Sequence, residues 1–252
     1  MRFCKENLPG FKSININAKH LRNAGATAVQ ELGFGMALAN DYLAILGKSN
    51  YSAEDVSGAL MFSFAVGSDY FMEIAKLRAA RLLWSKIMSA YVPDKPEAAK
   101  TYFHSETAVW NKTVYDAYVN MLRTTTESMA ALLGGTDSLS VMPFDITYKK
   151  PDAFSERIAR NIQIILGEEA KFDRVKDPAG GAYYIEYLTH ESAQNAWELF
   201  KETEAVGGYS QAFEQGFIQR RVKDVAAERD RRIALGREAV LGTNQFPDSR
   251  ER

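Results

Sequence analysis

Cysteine is almost missing: Cys4 is the only one in 252 residues. No disulfide can form within the chain, which fits a reducing compartment and leads us to expect a cytoplasmic protein. Histidine is scarce too, with three in the chain, and neither a CxxC nor an HExxH spacing occurs, so no Cys/His metal site is expected. No apolar run approaches the roughly 20 residues that span a bilayer, so no membrane partner is expected. The opening "MRFCKENLPG" lacks the apolar stretch of a signal peptide. Charge of one sign is lacking as well. With 31 basic and 32 acidic residues the formal net charge is −1, which argues against an electrostatic nucleic-acid binder. The densest charge, "QRRVKDVAAERDRRIALGRE" (219–238), interleaves both signs and reads as a solvated helix face. Neither GxGxxG nor GxxxxGK[ST] is present, which removes the dinucleotide and P-loop folds.

What remains is an ordinary globular composition, 46% apolar and 25% charged. Short β-like runs alternate with long amphipathic segments. The runs are "KSINI" (12–16), "LMFSFAV" (60–66), "KTYFH" (100–104), "DSLSVM" (137–142) and "GGAYYIE" (180–186), with "VLGTNQF" as one more short candidate near the end. Alternation of this kind predicts a parallel sheet covered by helices. Apolar strands without strict alternation predict a sheet buried on both sides. Asn23 is expected to cap the helix after the first strand, Ser68 the helix after the second, and Pro151 is expected in the first turn of a later one. Phe71, Ile74, Leu77 and Leu82 fall near one helix face, and Gly134–Gly135 form a helix stop. Gly25, Gly33 and Gly35 weaken the first long helix, so close packing there is expected.

In a barrel of βα units, chemistry sits at the C-terminal ends of the strands. That position draws attention to His104 in "KTYFHSETAVWNKT" and to His20 in "NINAKHLRNAGATA", each expected at a strand exit. Glu106 beside His104 offers an acid/base partner. A strand-end histidine can equally just bond a backbone carbonyl. His190, in "LTHES", reads as the first turn of a surface helix and receives no role. Trp110, Tyr115 and Tyr118 read as core. Met61, Ser63 and Ala65 form one face of their strand, Leu60, Phe62, Phe64 and Val66 the other, and neither face carries a charge that could clamp a phosphate or carboxylate.

Six segments resemble the methylmalonyl-CoA mutase family, the adenosylcobalamin-dependent acyl-CoA mutases, in the family's order and spacing. They are "HLRNAGATAVQEL", "YFMEIAKLRAARLLW", "HSETAVWNKT", "LGGTDSLSV" with "PFD", "ERIARNIQIILGEE" and "DPAGGAYYIEYLT". The resemblance implies an α/β fold, the C-terminal part of a (β/α)8 TIM-type barrel with long helices and parallel strands. It implies a leader over 1–11, a partial barrel over 12–246 and a polar tail over 247–252. The family's Asp-x-His-x-x-Gly cobalamin motif is absent, so no cobalamin-binding domain is expected. His20 matches the histidine that bonds the substrate thioester, the catalytic position. His104 and Glu106 match cofactor-binding positions, with Glu106 standing for a glutamine. A family tyrosine is Lys19 here. The arginine that binds the substrate carboxylate falls on Ala59, its neighbouring serine on Met61, and a ribose-binding glutamate on Ile146 beside the retained Asp145, while Trp110 keeps the motif's tryptophan. Losing that arginine removes a charge-assisted fork, and cofactor chemistry depends on orienting groups.

"SETAVWNKTVYDAYVNMLRT" and "LGTNQFP" are most like the small subunit of two-chain mutases. The resemblance therefore implies an isomerase-family subunit with a degenerate site. Its heterodimeric enzyme would interconvert succinyl-CoA and (R)-methylmalonyl-CoA in propionate metabolism. Adenosylcobalamin would belong to the complex and not to this chain alone. The partner would be the catalytic large subunit or the missing barrel half, with acyl-CoA bound in the complex. The alternatives are an active fragment with an altered, isobutyryl-type substrate, and a truncated product with no separate function. A half barrel leaves sheet edges open, so association or aggregation is expected.

Overall fold

The computed structural model describes residues 1–8 and 10–247. The expected polar tail, 247–252, lies outside the described residues beyond Pro247. Part of the expected leader folds as a short helix, α1 (Arg2–Asn7), whose Lys5 pairs with Asp55. The elements that follow are β1 (Ile14–Asn17), α2 (Lys19–Asn23), α3 (Ala28–Gly47), α4 (Ala53–Ala59), β2 (Leu60–Val66) and α5 (Tyr70–Tyr91). Then come β3 (Tyr102–Thr107), α6 (Asn120–Leu133), β4 (Ser138–Ser140) and α7 (Ala153–Ile164), which runs on into a π-helical turn, and finally α8 (Tyr183–Ala205), α9 (Tyr209–Glu214) and α10 (Phe217–Ala234). Among the described residues, four strands form one parallel sheet in the order β1-β2-β3-β4. The sheet is not closed, as expected for part of a TIM-type barrel.

The helix-facing side of the sheet is aromatic. Phe62 meets Trp84 of α5 edge-on at 5.2 Å and Phe103 at 5.7 Å, and all three are fully buried. Each such side chain contributes about 1.5–3 kcal/mol by leaving water. Two long helices, α3 and α5, cover this side, and α8 lies across both. Gly33 allows that crossing: a Cβ there would stand 3.0 Å from the Ala196 carbonyl oxygen and 3.1 Å from Leu199. The expectation of close packing at the helix glycines holds.

Several local expectations are corrected. "GGAYYIE" is not a strand, because Tyr183 begins α8. Its aromatic residues suggest β structure, but burial follows a helical period through Ile185, Thr189 and Ser192, while Tyr183 and Tyr184 face solvent. "VLGTNQF" forms a single bridge, Leu241 to Gln245, within a tight turn. Thr27, not Asn23, caps α3, in a reciprocal box with Gln30. Asn23 ends α2 instead, and its side chain accepts from the Val109 N–H at 3.0 Å. Asp69 precedes α5 where Ser68 was expected. Asp152 caps α7, which leaves Pro151 outside the first turn. Phe71 and Leu82 are exposed while Ile74 and Leu77 are buried, because α8 covers only part of α5. His190 lies well inside α8 on its exposed side.

Candidate functional site on the inner face of the sheet

The opposite face of the sheet is polar, and register explains how. Asn17 pairs with Ser63, Ser63 with His104, and His104 with Ser138. Partners in a parallel ladder point the same way, so these four side chains form one row across all four strands. The rows on either side hold Asn15, Met61 and Tyr102, and Ala65, Glu106 and Ser140. As the sequence suggested, the β2 side chains here carry no charge.

Each side chain in the row has a nearby polar partner, although Asn17 Oδ1 is buried without one. His104 Nδ1 lies 2.8 Å from Ser138 Oγ. Ser63 Oγ donates to Asn15 Oδ1 at 2.8 Å. Asn17 Nδ2 lies 2.9 Å from His20 Nε2, so His20 does reach this face, from α2 and not from a loop. His104 sits in the middle of β3, not at its end, because the strand continues through Ser105, Glu106 and Thr107. Thr107 Oγ1 accepts from the Met142 N–H at 2.8 Å, which fixes the strand's exit. The row itself, with Asn17, Ser63 and Ser138, escaped sequence reading; the lone serine inside "LMFSFAV" was its available signal.

Above the row, Lys19 Nζ donates to Glu106 Oε2 at 2.6 Å, both side chains being mostly buried. The pair joins α2 to β3 across 87 positions of sequence. Burial, and then the Lys19 charge, hold the His104 imidazole below its ordinary pKa, with Glu106 opposing them. His104 is therefore neutral near pH 7. Ile146 lies half-buried in the loop after β4 and offers only carbon, while the neighbouring Asp145 carboxylate is fully buried. Ala59 closes α4 just before β2. Trp110 is not core but half-buried, and Tyr115 and Tyr118 are exposed because the loop after β3 carries them outward. Among the described residues no group of three His, Cys, Asp or Glu side chains could hold a metal, and no helix is long and apolar enough to cross a membrane.

A family model described as methylmalonyl-CoA mutase matches residues 1–252. The methylmalonyl-CoA mutase small subunit of Porphyromonas gingivalis is 49% identical over 245 residues, 97% of this chain and 40% of that protein. The small subunit of Streptomyces virginiae is 42% identical over 251 residues, 100% of this chain and 40% of the relative. The large subunit of Propionibacterium freudenreichii subsp. shermanii is 38% identical over 244 residues, 97% of this chain and 34% of the relative. The chain thus spans less than half the length of these relatives.

Proposed function

The chain belongs to the methylmalonyl-CoA mutase family, and from that premise we propose that it serves as small-subunit sequence that completes the enzyme without a working site of its own. The enzyme would be the isomerase that interconverts succinyl-CoA and (R)-methylmalonyl-CoA, with chemistry in a homologous large subunit. One observation carries this reading: the Lys19–Glu106 pair, 2.6 Å long, consumes the two charged groups at the mouth of the polar face. A cation neutralised this way is not available to clamp a substrate carboxylate. The family cofactor, adenosylcobalamin, fits these residues poorly. Ile146 offers no hydrogen bond to a ribose, His104 Nδ1 is taken by Ser138, and Glu106 is held by Lys19. His20, His104 and Glu106 are on this reading positions of a degenerate site.

The open sheet supports a partner. Among the described residues, β1 and β4 each leave one side unpaired, and parallel sheets are otherwise closed or covered. The covering element would be the remainder of a barrel, whether on this protein or another. The test is co-expression with a large subunit, followed by co-purification and a mutase assay with and without this chain. We expect a stable complex whose turnover is nearly unchanged by His104→Ala. Loss of most turnover in a complex that still assembles would overturn the reading.

A further inference from the structure

Away from the polar row, α10 crosses the corner between α2 and α3. Gly25 makes the crossing possible at φ +109°, since a Cβ there would lie 2.6 Å from the Ala226 Cβ. The crossing brings Arg229 over the Trp110 ring, 4.2 Å from its centroid, while Arg22 approaches the same ring at 4.9 Å. A cavity of about 270 Å³ opens here, lined by Arg22, Arg229, Arg232, Trp110, Thr27 and Ser68 among others.

The charges around it are unevenly satisfied. Arg22 is held by Glu73 at 3.0 Å and by the Ala26 carbonyl at 2.7 Å. Arg232 pairs with Glu238 at 2.9 Å. Arg229 has only a long contact, 3.8 Å, with Asp230, whose side chain is mostly in solvent. The Nε atoms of Arg22 and Arg229 and the indole Nε1 of Trp110 are buried without an acceptor. Burial lowers the Arg229 pKa, and the neighbouring Arg22 and Arg232 charges add to that against Asp230 and Glu238. A mostly buried guanidinium lacking a close counter-ion, among donors lacking acceptors, is an arrangement that an anion completes. Two long helices also begin at the cavity. Of these, α5 starts at Asp69 without any side-chain cap, which leaves its first N–H groups free of one. Asp69 and Glu238 are the carboxylates that line the cavity and oppose an anion.

We propose that this cavity binds a tetrahedral oxyanion, a phosphate or a phosphate monoester, with Arg229 as its principal ligand and the Trp110–Arg22 stack as its back wall. The lining residues come from α10, from the loop after β3 and from two helix starts, and a tetrahedral ion offers oxygens in several directions to such a surround. The site is separate from the polar row and does not depend on the function proposed above.

Fluorine NMR of the full chain carrying fluorotryptophan, in the assembled form in which it purifies, tests this. The chain has three tryptophans, and Trp110→Phe assigns the signal. Inorganic phosphate titrated against chloride at constant ionic strength should shift the Trp110 signal alone. Tighter binding of phenyl phosphate would mark a monoester as the source, and equal binding the free ion. Arg229→Gln should weaken binding about tenfold, with unchanged Trp84 and Trp197 signals reporting that the fold is intact. Glu238→Gln, which frees Arg232, should tighten it about threefold. A Trp110 signal that stays still, one that moves equally in chloride, or an Arg229→Gln chain that binds as well as the parent would each overturn the proposal.

Discussion

Lys19 and Lys76 meet carboxylates at nearly the same distance, 2.6 Å to Glu106 and 2.7 Å to Glu31, yet they stand on opposite faces of one sheet. Lys19 sits at the mouth of the polar row, partly open to solvent. Lys76 is sealed between the sheet and α3, with no exposure at all, and it also pairs with Glu73 at 2.5 Å. Glu31 accepts the Ala65 N–H at 2.7 Å, and Lys76 donates to the Ala65 carbonyl. The sealed cluster thus grips the backbone of β2 from the helix layer. Its two carboxylates diverge. Burial pushes Glu73 up, but Lys76 and Arg22 outweigh burial and hold it below the ordinary range. For Glu31 burial wins over Lys76, and its pKa rises. Charge serves the fold at Lys76 and occupies a site at Lys19. In the sealed cluster, Lys76 stands between two carboxylates and the ions position β2. On the inner side, one ion pair closes what would otherwise be an open polar wall.

The largest expected effect follows from breaking the sealed cluster. Lys76→Met leaves Glu31 without its cation in a dry interior, and it should cost about 3–5 kcal/mol in chemical denaturation. Adding Glu31→Gln should recover part of that loss, since the uncompensated charge goes with it. If Lys76→Met costs no more than a surface substitution, the cluster does not hold the fold as described.

Next comes the corner that carries α10. Gly25→Ala places a side chain at φ +109° and drives a Cβ into Ala226. The backbone term and the clash together should cost about 2–3 kcal/mol. Because the strain lies on the helix side, the polar row should keep its geometry. Hydrogen exchange should therefore loosen α10 first, and an unchanged melting curve would show that the corner relaxes freely.

How much of this was legible in the sequence differs between the same two regions. The span of β2 could be read because the strand is largely apolar, uncharged on both faces and bounded by helices, and it matches residue for residue. The parallel sheet followed from the βα alternation. The fifth strand failed because Tyr183 and Tyr184 are β-formers by type, while only the tertiary burial of Ile185 and Thr189 reveals the helix. The sealed ions were illegible. Glu73 and Lys76 look like an ordinary i,i+3 surface pair, and only Glu31, an acid within a run of small apolar residues, hinted at burial. On the inner face, His20, His104 and Glu106 were singled out by type and motif. Their partners were not, because Lys19 lies 87 residues from Glu106 and Ser138 lies 34 from His104. Sheet register, which no local pattern specifies, brings them together.

A smaller effect tests the inner pair directly. Lys19→Gln removes the cation but leaves Glu106 with some access to water. The cost should be about 1 kcal/mol, well under that of Lys76→Met. A loss equal to that of Lys76→Met would erase the distinction between a sealed and a half-open ion pair.

The finest comparison is a titration. His104 has its pKa lowered by burial first and by Lys19 second. A group that binds its proton less tightly when folded makes the unfolded state the better proton acceptor. Stability from neutral His104 is therefore fully present above the ordinary histidine range. It declines as pH falls from there toward the lowered folded pKa, because the unfolded chain protonates first. His104→Gln should flatten that decline. In an NMR titration, Lys19→Gln should move the His104 pKa upward, since one opposing charge is gone, and Glu106→Gln should move it downward, since the favourable carboxylate is lost. Opposite shifts from the two variants are the signature of an imidazole set between both ends of one ion pair. Shifts of the same sign, or none, would mean that burial alone sets the His104 charge and that the Lys19–Glu106 pair does not govern the polar row.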